Sequence, residues 1–403
     1  MRVLIADSFE QSGRDALESA GFAIDYQPQL DSSSLAAAVK NADVLVVRST
    51  NVPAEVFGEA GPLGMVIRAG AGYNTIDSKA AAAHAVFVAN VPGKNAVAVA
   101  ELTMGLILAI DRRIPENVAA ARAGTWNKKE FSQSEGLLGK TLGIIGLGQI
   151  GLAVAERAAG FGLNVLVLNK NRSRSIEERV QELGIEGTGE LGDLLERSHI
   201  VSLHLPGSEE TKHLVDRSFL ARMRAGAILI NTSRGDVIDE EALLESIDEK
   251  GLRAGLDVFA DEPGSGTGSF ESLLVKHPRV YTTHHIGAST SQAQEAIAAE
   301  VVEMIIDYER GIARNVVNLT PPDPGGSLLV VRHYDRVGVL SAVLGALREA
   351  GLNVQEMKNE VFSGAGASVA SIHVQGVIPE PVLHSVRRHP DVIFATARDL
   401  PSS

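Results

Sequence analysis

Three short segments in the second half of the chain supply a guanidinium, a carboxylate and an imidazole. Arg234, Glu262 and His285 each come shortly after a run of apolar residues that predicts a strand. Ligands of open α/β sheets bind at the carboxyl ends of the strands, so we expect these side chains to converge. An arginine can hold a carboxylate through two parallel hydrogen bonds, and a histidine exchanges a proton near neutral pH. Together with a glutamate that stabilises the charged imidazole, the set predicts hydride transfer to or from a small 2-hydroxy acid.

A glycine-rich turn follows the predicted strand 141–145 and opens an amphipathic helix that continues to Phe161. Its glycines have the spacing GxGxxG, and each has a physical role: a tight turn, close approach of a pyrophosphate to the backbone, and close packing of helix on strand. The strand, the glycines and the helix come in the order that a dinucleotide site requires. The residues expected to bind the cofactor here are Gly146, Gly148, Gln149, Ile150 and Gly151.

The next predicted strand, residues 165–168, ends in Asn169, where NAD sites commonly place an acid that binds the adenosine ribose. An asparagine accepts fewer hydrogen bonds than a carboxylate and does not repel a 2′-phosphate. Lys170 and Arg172 could pair with such a phosphate, or they could belong to a solvated loop. We therefore predict NAD as the cofactor, with Asn169 in contact with it, and leave NADP open.

Short β-rich runs alternate with helix-length segments over the first 320 residues, a pattern typical of doubly wound parallel sheets. The apolar segment 96–110 is interrupted by Glu101 and Thr103 and predicts a buried helix. We expect an α/β fold with two parallel sheets. The predicted strands of the first sheet are 3–6, 44–47, 65–67 and 86–89, and those of the second are 141–145, 165–168, 200–205, 227–231, 254–258 and 280–283.

A cluster of proline and glycine at residues 321–326 predicts a linker, because it can continue neither a helix nor a central strand. Beyond it the predicted elements have the order βαββαβ, which indicates a ferredoxin-like domain. These elements are a strand at 328–331, a helix at 337–350, strands at 352–357 and 368–374, a helix at 381–387 and a strand at 392–396.

Composition limits the partners of the chain. The 37 basic and 50 acidic residues give a net charge of −13, so we expect no nucleic-acid partner. There is no cysteine, and hence no disulfide and no thiolate ligand or nucleophile.

The N-terminus predicts a short strand that ends on Asp7, with no export signal, and no segment reaches the length of a membrane span. We expect a cytoplasmic protein without a metal site; His199 and His204 alternate with apolar residues of a strand and are interpreted as structural.

With these segments in this order, the chain resembles the D-isomer-specific 2-hydroxyacid dehydrogenase family over nearly all of its first 318 residues. The stretches 48–50, 68–74, 90–95 and 138–142 are also similar to that family. The resemblance implies a nucleotide domain inserted within a substrate domain, with the active site in the cleft between them. Residues 1–96 and 290–318 would form the flavodoxin-like substrate-binding domain, and residues 97–289 the Rossmann NAD-binding domain.

The resemblance also implies roles for individual residues: acid–base catalysis by His285, its orientation by Glu262, and anchoring of the substrate by Arg234. His284 stands where the family usually has proline, which leaves open which histidine acts; we favour His285 because Ile-Gly-Ala-Ser follows it. The turn at 70–72 offers backbone N–H groups to a carboxylate, or consists of plain turn glycines. The further residues implied are Thr232 and Asp257 for the cofactor, and Arg48, Ala71, Gly72 and Asn95, with Arg234, for the substrate.

The segment 332–340, followed by residues 350–354, resembles an ACT domain, so residues 326–403 would form a regulatory domain. Such domains commonly bind amino acids, and the resemblance implies L-serine as effector on His333, Asp335 and Asn353. Val337 and Asp335 depart from the proline and asparagine often found at those positions, which leaves a purely structural assembly module as the alternative. Pairing of exposed edge strands would join subunits, and we expect a homodimer or homotetramer.

A dehydrogenase of this family fused to such a domain implies a phosphorylated substrate, 3-phospho-D-glycerate, oxidised to 3-phosphohydroxypyruvate at the first step of L-serine biosynthesis. A dianionic phosphate in an acidic protein needs a local cationic pocket. Arg48 is the principal candidate, with Arg68, Lys128 and Lys129 behind it. The alternatives are a glyoxylate or hydroxypyruvate reductase of the same family, and a sensor of nucleotides or amino acids that kept the fold without the chemistry.

Overall fold

Two parallel sheets and one antiparallel sheet make up the fold. The computed structural model describes residues 1–58, 61–263, 267–320, 326–364 and 366–400, and the chain divides into two units, Met1–Asn318 and Leu319–Ser403. The first unit contains both parallel sheets, as the sequence predicts. The linker predicted at 321–326 falls almost entirely outside the described residues. Among the described helices, none combines the length and the apolar character that crossing a membrane would require.

The first sheet has five parallel strands in the order β2-β1-β3-β4-β5, the flavodoxin-like order that was predicted. Its edge strand β2 was missed, because its side chains are only partly buried and its apolar pattern is weak. The strands are β1 (Arg2–Ile5), β2 (Ala23–Tyr26), β3 (Val44–Val47), β4 (Met65–Arg68) and β5 (Phe87–Asn90), and the helices between them are α1 (Gln11–Ser19), α2 (Ser32–Ala38), α3 (Glu55–Gly58) and α4 (Ser78–Ala83).

The second sheet has seven parallel strands in the order β12-β11-β10-β9-β6-β7-β8, which contains the Rossmann order and extends it by one strand. Its short edge strand β8 was also missed. The strands are β6 (Thr141–Ile145), β7 (Asn164–Leu168), β8 (Glu186–Thr188), β9 (Ile200–Leu203), β10 (Ile228–Asn231), β11 (Arg253–Leu256) and β12 (Val280–Thr282). The helices that accompany it are α5 (Ala96–Arg112), α6 (Ile114–Arg122), α7 (Lys128–Phe131), α8 (Gln149–Gly160), α9 (Arg174–Glu182), α10 (Leu191–Arg197), α11 (Arg217–Arg222), α12 (Glu240–Lys250) and α13 (Leu273–Lys276).

Two long helices connect the parallel sheets. Helix α5 leaves the first sheet and packs on the second, where Ile107 and Ile110 are fully buried, so the prediction of a buried helix is confirmed. Helix α14 (Ser291–Glu309) returns and packs against the first sheet, with Val301 and Ile305 in the same core as the residues of β1. The chain then pairs with β5 through Val316. The residues of the second sheet are thus inserted in the chain between the strands of the first sheet and helix α14, which packs against that first sheet.

The C-terminal unit is a four-stranded antiparallel sheet with two helices in the predicted order βαββαβ. The strand order is β14-β15-β13-β16, so β13 and β14 run in the same direction on either side of β15. Its elements are β13 (Ser327–Tyr334), α15 (Val339–Glu349), β14 (Val354–Val361), β15 (Ala367–Val374), α16 (Glu380–Arg388) and β16 (Val392–Asp399).

Candidate active site

The side chains of His285 and Glu262 meet beyond the carboxyl ends of β11 and β12. His285 Nδ1 lies 2.7 Å from Glu262 Oε2, and since a carboxylate can only accept, Nδ1 is the donor. Neutral imidazole protonated at Nδ1 has its acceptor lone pair on Nε2. The side chain of His285 is half exposed, so the imidazole is accessible to a ligand. The pair has the geometry of a base and the group that orients it.

The second oxygen of Glu262 accepts a hydrogen bond from the backbone N–H of Phe259 at 2.9 Å. Partial burial by itself would raise the pKa of the Glu262 carboxyl, but the hydrogen bonds from His285 and Phe259, together with the positive charge of Arg234, outweigh it and lower that pKa. Glu262 is therefore an anion at neutral pH and loses that charge only as the pH falls through its lowered pKa. It stabilises a proton taken up by His285.

The turn that carries His285 is held by Asp257. This carboxylate is 1% exposed and accepts hydrogen bonds from Thr283 Oγ1 and from the backbone N–H groups of Ile286 and Gly287 at 2.5 to 2.9 Å. His285 has a positive φ of 52°, which is uncommon for a residue with a Cβ, and its N–H donates to the Asp257 carbonyl at 2.7 Å. The sequence predicted a cofactor contact for Asp257; the hydrogen bonds in the structure show that Asp257 holds the turn of His285.

Arg234 extends from the loop after β10 towards the first sheet. Its Nη1 donates to the Ser233 carbonyl at 2.6 Å, and Asn231 braces the loop by donating to the Arg234 carbonyl at 2.8 Å. A Cβ at Gly72 would overlap Nη2 of Arg234, so the absence of a side chain at Gly72 lets the guanidinium reach this turn. The structure thus brings together Arg234 and the predicted substrate turn at Ala71 and Gly72, where Asn90 Nδ2 donates to the Ala71 carbonyl.

Arg48 and Arg68 extend this cationic region at the ends of β3 and β4. Burial, and then the positive charges of Arg234 and Arg48, lower the pKa of the Arg68 guanidinium to about 10. Among the described residues, neither Arg48 nor Arg68 forms an ion pair with a carboxylate, and Arg68 Nε is buried without a hydrogen-bond partner. The sequence ranked Arg68 behind Arg48; in the structure both are partly buried, and Nη1 of Arg68 lies against Gly70, in the same turn that Arg234 contacts. Asn95 lies at the start of α5, and its amide oxygen is likewise buried without a partner in the described structure.

Of the three glycines in the turn before α8, one has open space where a side chain would lie. A Cβ at Gly146 would overlap the carbonyl oxygen of His204, and one at Gly151 would overlap the carbonyl oxygen of Gly146. A Cβ at Gly148 would meet no atom within 4 Å. Gly148 precedes the first turn of α8 and provides no side-chain cap, so the helix N–H groups are available to a phosphate. This local structure fits a dinucleotide.

Gly148→Ala and Gly146→Ala are expected to fail in different ways. The added methyl group at Gly148 fills the space through which a pyrophosphate approaches the backbone, so the KM for NAD rises about tenfold or more while the melting temperature stays unchanged. At Gly146, φ is +98° and the methyl group overlaps backbone, so the variant loses stability. Steady-state kinetics and thermal melts of the two variants separate these outcomes. An unchanged KM for Gly148→Ala would contradict the assignment of the turn.

Two further predicted cofactor residues, Thr232 and Asn169, follow other strands of the same sheet, β10 and β7. Thr232 is buried, and its hydroxyl lies 3.0 Å from that of Thr103 on α5. Asn169 is exposed at the end of β7, and Arg172 folds back and donates to the Leu168 carbonyl. The side chain of Gln149 lies against Gly93, next to the predicted substrate residue Asn95.

Four further residues considered in the sequence analysis are two lysines on α7 and the two histidines that flank β9. Lys128 and Lys129 are exposed on α7. His204 is buried, which lowers its pKa to about 3, and its Nε2 lies 2.8 Å from Ser202 Oγ. His199 Nδ1 accepts the N–H of Thr141 at 3.1 Å. In the part of the chain that the structure describes, no group of three or more potential protein ligands could hold a metal ion.

The three residues predicted to bind an effector are not adjacent within one chain. His333 is 1% exposed, with its ring nitrogens 2.7 Å from the Tyr334 carbonyl and 3.1 Å from Asn359 Oδ1. Asp335 follows the carboxyl end of β13, whereas Asn353 lies at the opposite end of the sheet, where its carbonyl accepts the N–H of Gln375. Eight residues of β13 separate the two ends, roughly 25 Å at the rise of a strand.

Comparisons with known proteins agree with this geometry. Residues 104–287 match the family model described as the D-isomer specific 2-hydroxyacid dehydrogenase, NAD binding domain. A D-3-phosphoglycerate dehydrogenase of Methanocaldococcus jannaschii is 38% identical over 322 residues, which cover 79% of this chain and 60% of that relative. The chain therefore spans less than two thirds of that protein's length.

A hydroxypyruvate reductase of Thermotoga maritima is 40% identical over 278 residues, which cover 68% of this chain and 88% of the relative. Among solved structures, a D-lactate dehydrogenase from Aquifex aeolicus, complexed with NAD and lactic acid, has a TM-score of 0.67 and 26% identity, covering 80% of this chain and all of that one. With this coverage, the chain belongs to the D-isomer specific 2-hydroxyacid dehydrogenase family, and residues 104–287 are its NAD-binding domain.

Proposed function

We propose that this protein oxidises 3-phospho-D-glycerate to 3-phosphohydroxypyruvate with NAD, the first step of L-serine biosynthesis. The observation that carries the proposal is the cluster of Arg48, Arg68 and Arg234. Nη1 of Arg68 and Nη2 of Arg234 lie against the glycines of the turn at 70–72, Arg48 follows the strand next to that of Arg68, and Arg68 Nε is buried without a hydrogen-bond partner in the described structure. Holding three like charges together costs free energy unless an anion compensates them. A substrate that carries both a carboxylate and a phosphate dianion supplies that charge.

In the proposed reaction Arg234 holds the substrate carboxylate through paired hydrogen bonds and polarises the oxygen on C2. His285 Nε2 accepts the proton of the C2 hydroxyl as C2 loses a hydride, and Glu262 stabilises the imidazolium that results. The O–H and C–H bonds at C2 break, and a C=O bond forms. When bound, NAD supplies the hydride acceptor. Gly146, Gly148, Gln149, Ile150, Gly151, Asn169, Thr232 and Asp257 are proposed to hold it.

The phosphate is assigned to Arg48 and Arg68, and the carboxylate to Arg234 with the backbone at Ala71 and Gly72. Asn95 is proposed to reach the substrate through its unpartnered amide oxygen. We propose that residues 1–96 and 290–318 form the substrate-binding domain and residues 97–289 the NAD-binding domain. The relatives named phosphoglycerate dehydrogenase support a phosphorylated substrate.

The second candidate is reduction of hydroxypyruvate or glyoxylate, which the Thermotoga maritima relative favours. A purified preparation would be assayed for reduction of NAD with 3-phosphoglycerate and with D-glycerate, and for oxidation of NADH with hydroxypyruvate and glyoxylate. We expect kcat/KM to be highest for the phosphorylated acid. Activity with only the unphosphorylated acids would assign the reductase instead, and no turnover with any of them would favour a nucleotide sensor.

Asn169→Asp is expected to change the choice of cofactor. Asn169 is exposed where a ribose is expected, and a carboxylate there repels a 2′-phosphate and accepts hydrogen bonds from a ribose diol. The ratio of kcat/KM for NAD to that for NADP rises about tenfold or more, the effect of about 1.4 kcal/mol. Asn171→Asp, an exposed neighbour in the same loop, changes the ratio less. An equal ratio in Asn169→Asp and the parent would remove Asn169 from the cofactor site.

Residues 326–403 are proposed to form an ACT domain that binds L-serine and joins subunits into a homodimer or homotetramer. Because Asp335 and Asn353 lie at opposite ends of the sheet, a site that uses both, with His333, requires two copies of the domain. The strand β14 lies at the edge of the sheet, pairs on one side with β15 and is exposed along nearly its whole length, and such an edge can pair with a strand of another subunit. Sedimentation and inhibition by L-serine test this; a monomer, or an assembly indifferent to serine, would leave the domain without the regulatory role.

A further inference from the structure

Asp7, at the end of the first strand, has no part in the reaction proposed above. Asp7 follows β1 at the carboxyl edge of the five-stranded sheet, and β1 pairs directly with β3. One oxygen of Asp7, Oδ2, accepts the backbone N–H groups of Arg48, Ser49 and Thr50 at 2.6, 3.0 and 3.0 Å. Three successive peptide groups of the loop after β3 thus point at a single atom.

Converging N–H groups of this kind form a concave anion-binding nest in a loop backbone. Here the anion belongs to the protein, and it fixes the dihedral angles of three residues at the point where the chain leaves β3. The Thr50 hydroxyl adds a contact of 3.4 Å to the Ala6 carbonyl, beside Asp7. The direction in which the Arg48 side chain leaves the loop is set by this backbone.

The charge of Asp7 also lies within range of the arginine cluster. The negative charge of Asp7 raises the pKa of Arg68 and so opposes the lowering by burial and by the two other arginines, but among the described residues Asp7 forms no ion pair with Arg48 or Arg68. Both oxygens of a carboxylate can accept, yet the described hydrogen bonds of Asp7 go to backbone groups and leave the guanidinium donors free. Asp7 therefore orders the cationic loop without occupying the arginines that a substrate phosphate would contact.

We propose that Asp7 is the positioning residue of the phosphate site, acting through Arg48. This inference rests on the proposed function, because it assumes that Arg48 receives the phosphate of the substrate. Without the carboxylate, three N–H groups lose their acceptor, the loop gains conformational freedom, and Arg48 is no longer held ready for the ligand. Loss of the Asp7 carboxylate therefore weakens binding of the substrate phosphate and leaves proton transfer at His285 unchanged.

The test compares Asp7→Ala, Asp7→Asn, Arg48→Ala and the double variant Asp7→Ala/Arg48→Ala. The matched control is Asp43→Ala, which removes a carboxylate that accepts the backbone N–H of Arg2 at 2.6 Å at the other edge of the same sheet. For each protein kcat and KM are measured with 3-phosphoglycerate and with D-glycerate, and the affinity for inorganic phosphate is measured by calorimetry.

We expect Asp7→Ala to raise the KM for 3-phosphoglycerate about tenfold to a hundredfold with kcat and the constants for D-glycerate nearly unchanged. Asp7→Asn recovers part of the loss, since the amide oxygen still accepts. In the Arg48→Ala background, Asp7→Ala adds nothing, because its effect passes through Arg48. Asp43→Ala leaves the preference between the two substrates as it was.

Equal losses with both substrates, or additive effects of the two substitutions, would overturn the inference and assign Asp7 to stability alone. A parent protein that shows no preference for the phosphorylated acid would refute the proposed function instead. In that case the calorimetry still decides about Asp7: weaker binding of inorganic phosphate to Asp7→Ala than to the parent supports its positioning of an anion site, and equal binding rejects it.

Discussion

Replacement of His285 by alanine is expected to lower kcat by about 10²- to 10⁴-fold, the range that a positioned general base contributes. The reason is the pairing of His285 Nδ1 with Glu262 Oε2 at 2.7 Å, which leaves Nε2 as the ring nitrogen that accepts the proton in the proposed reaction. The affinity for NADH, measured by fluorescence titration, stays within about twofold, because the glycine turn before α8 is untouched. Stopped-flow and steady-state kinetics give kcat with the preferred hydroxy acid.

His284 provides the matched control for this experiment, since it is the same residue type, one position away, and also exposed. In the described structure Glu262 is bonded to His285 and not to its neighbour. His284→Ala therefore keeps kcat within about twofold of the parent. Loss of turnover in His284→Ala with activity retained in His285→Ala would reverse the assignment of the base. Equal and small effects in both variants would reject proton transfer by this turn.

Arg234→Lys is expected to lower kcat/KM by about a hundredfold or more, equivalent to about 2.7 kcal/mol of transition-state stabilisation. A lysine keeps the charge but cannot donate two parallel hydrogen bonds to the substrate carboxylate. The guanidinium lies against Gly72 and is held by the Ser233 carbonyl, so its plane is fixed before the substrate arrives. The ammonium group of a lysine, on its flexible side chain, has no such fixed orientation. We therefore expect both a lower kcat and a higher KM.

Arg224→Lys serves as the comparison, because Arg224 precedes β10 at the edge of the sheet opposite to Arg234 and is exposed. That variant keeps the kinetic constants of the parent. If Arg234→Lys were as active as Arg224→Lys, the bidentate anchoring of the carboxylate would be refuted. If both variants melt at a lower temperature than the parent, part of the protein is unfolded. The value of kcat is then corrected for the fraction of active sites, which is measured by titration.

Much of the fold follows from local pattern. The alternation of short apolar strands and helices, the run of glycines after Ile145 and the breakers near residue 321 are all local signals, and they led to three sheets of the right types. The edge strands β2 and β8 escaped because edge positions bury less surface, so their apolar pattern is weaker. Which segments form the edges of a sheet depends on how distant parts of the chain pack. A local sequence pattern does not contain that information.

The residues with chemical roles and the pairing of His285 with Glu262 were predicted from residue type and position, but the groups that brace their loops were not. Arg234, Glu262 and His285 stand after strands, and parallel strands carry residues that are distant in sequence to one edge. That Asp257 braces the turn of His285, and that Asp7 gathers three N–H groups of the loop after β3, depends on contacts across 26 to 43 residues. A carboxylate at a strand end gives no local sign of which backbone groups it will accept.

The sequence by itself determined the order of the elements, the glycine turn and the residue types at each strand end, because these depend on local conformational preference and the period of burial. Only the tertiary structure decided that Arg68 and Arg234 meet at the turn 70–72, and that Asp335 and Asn353 lie at opposite ends of one sheet. The charge around a group and the distance between two ends of a sheet arise from packing of remote segments, and no spacing along the chain specifies either of them.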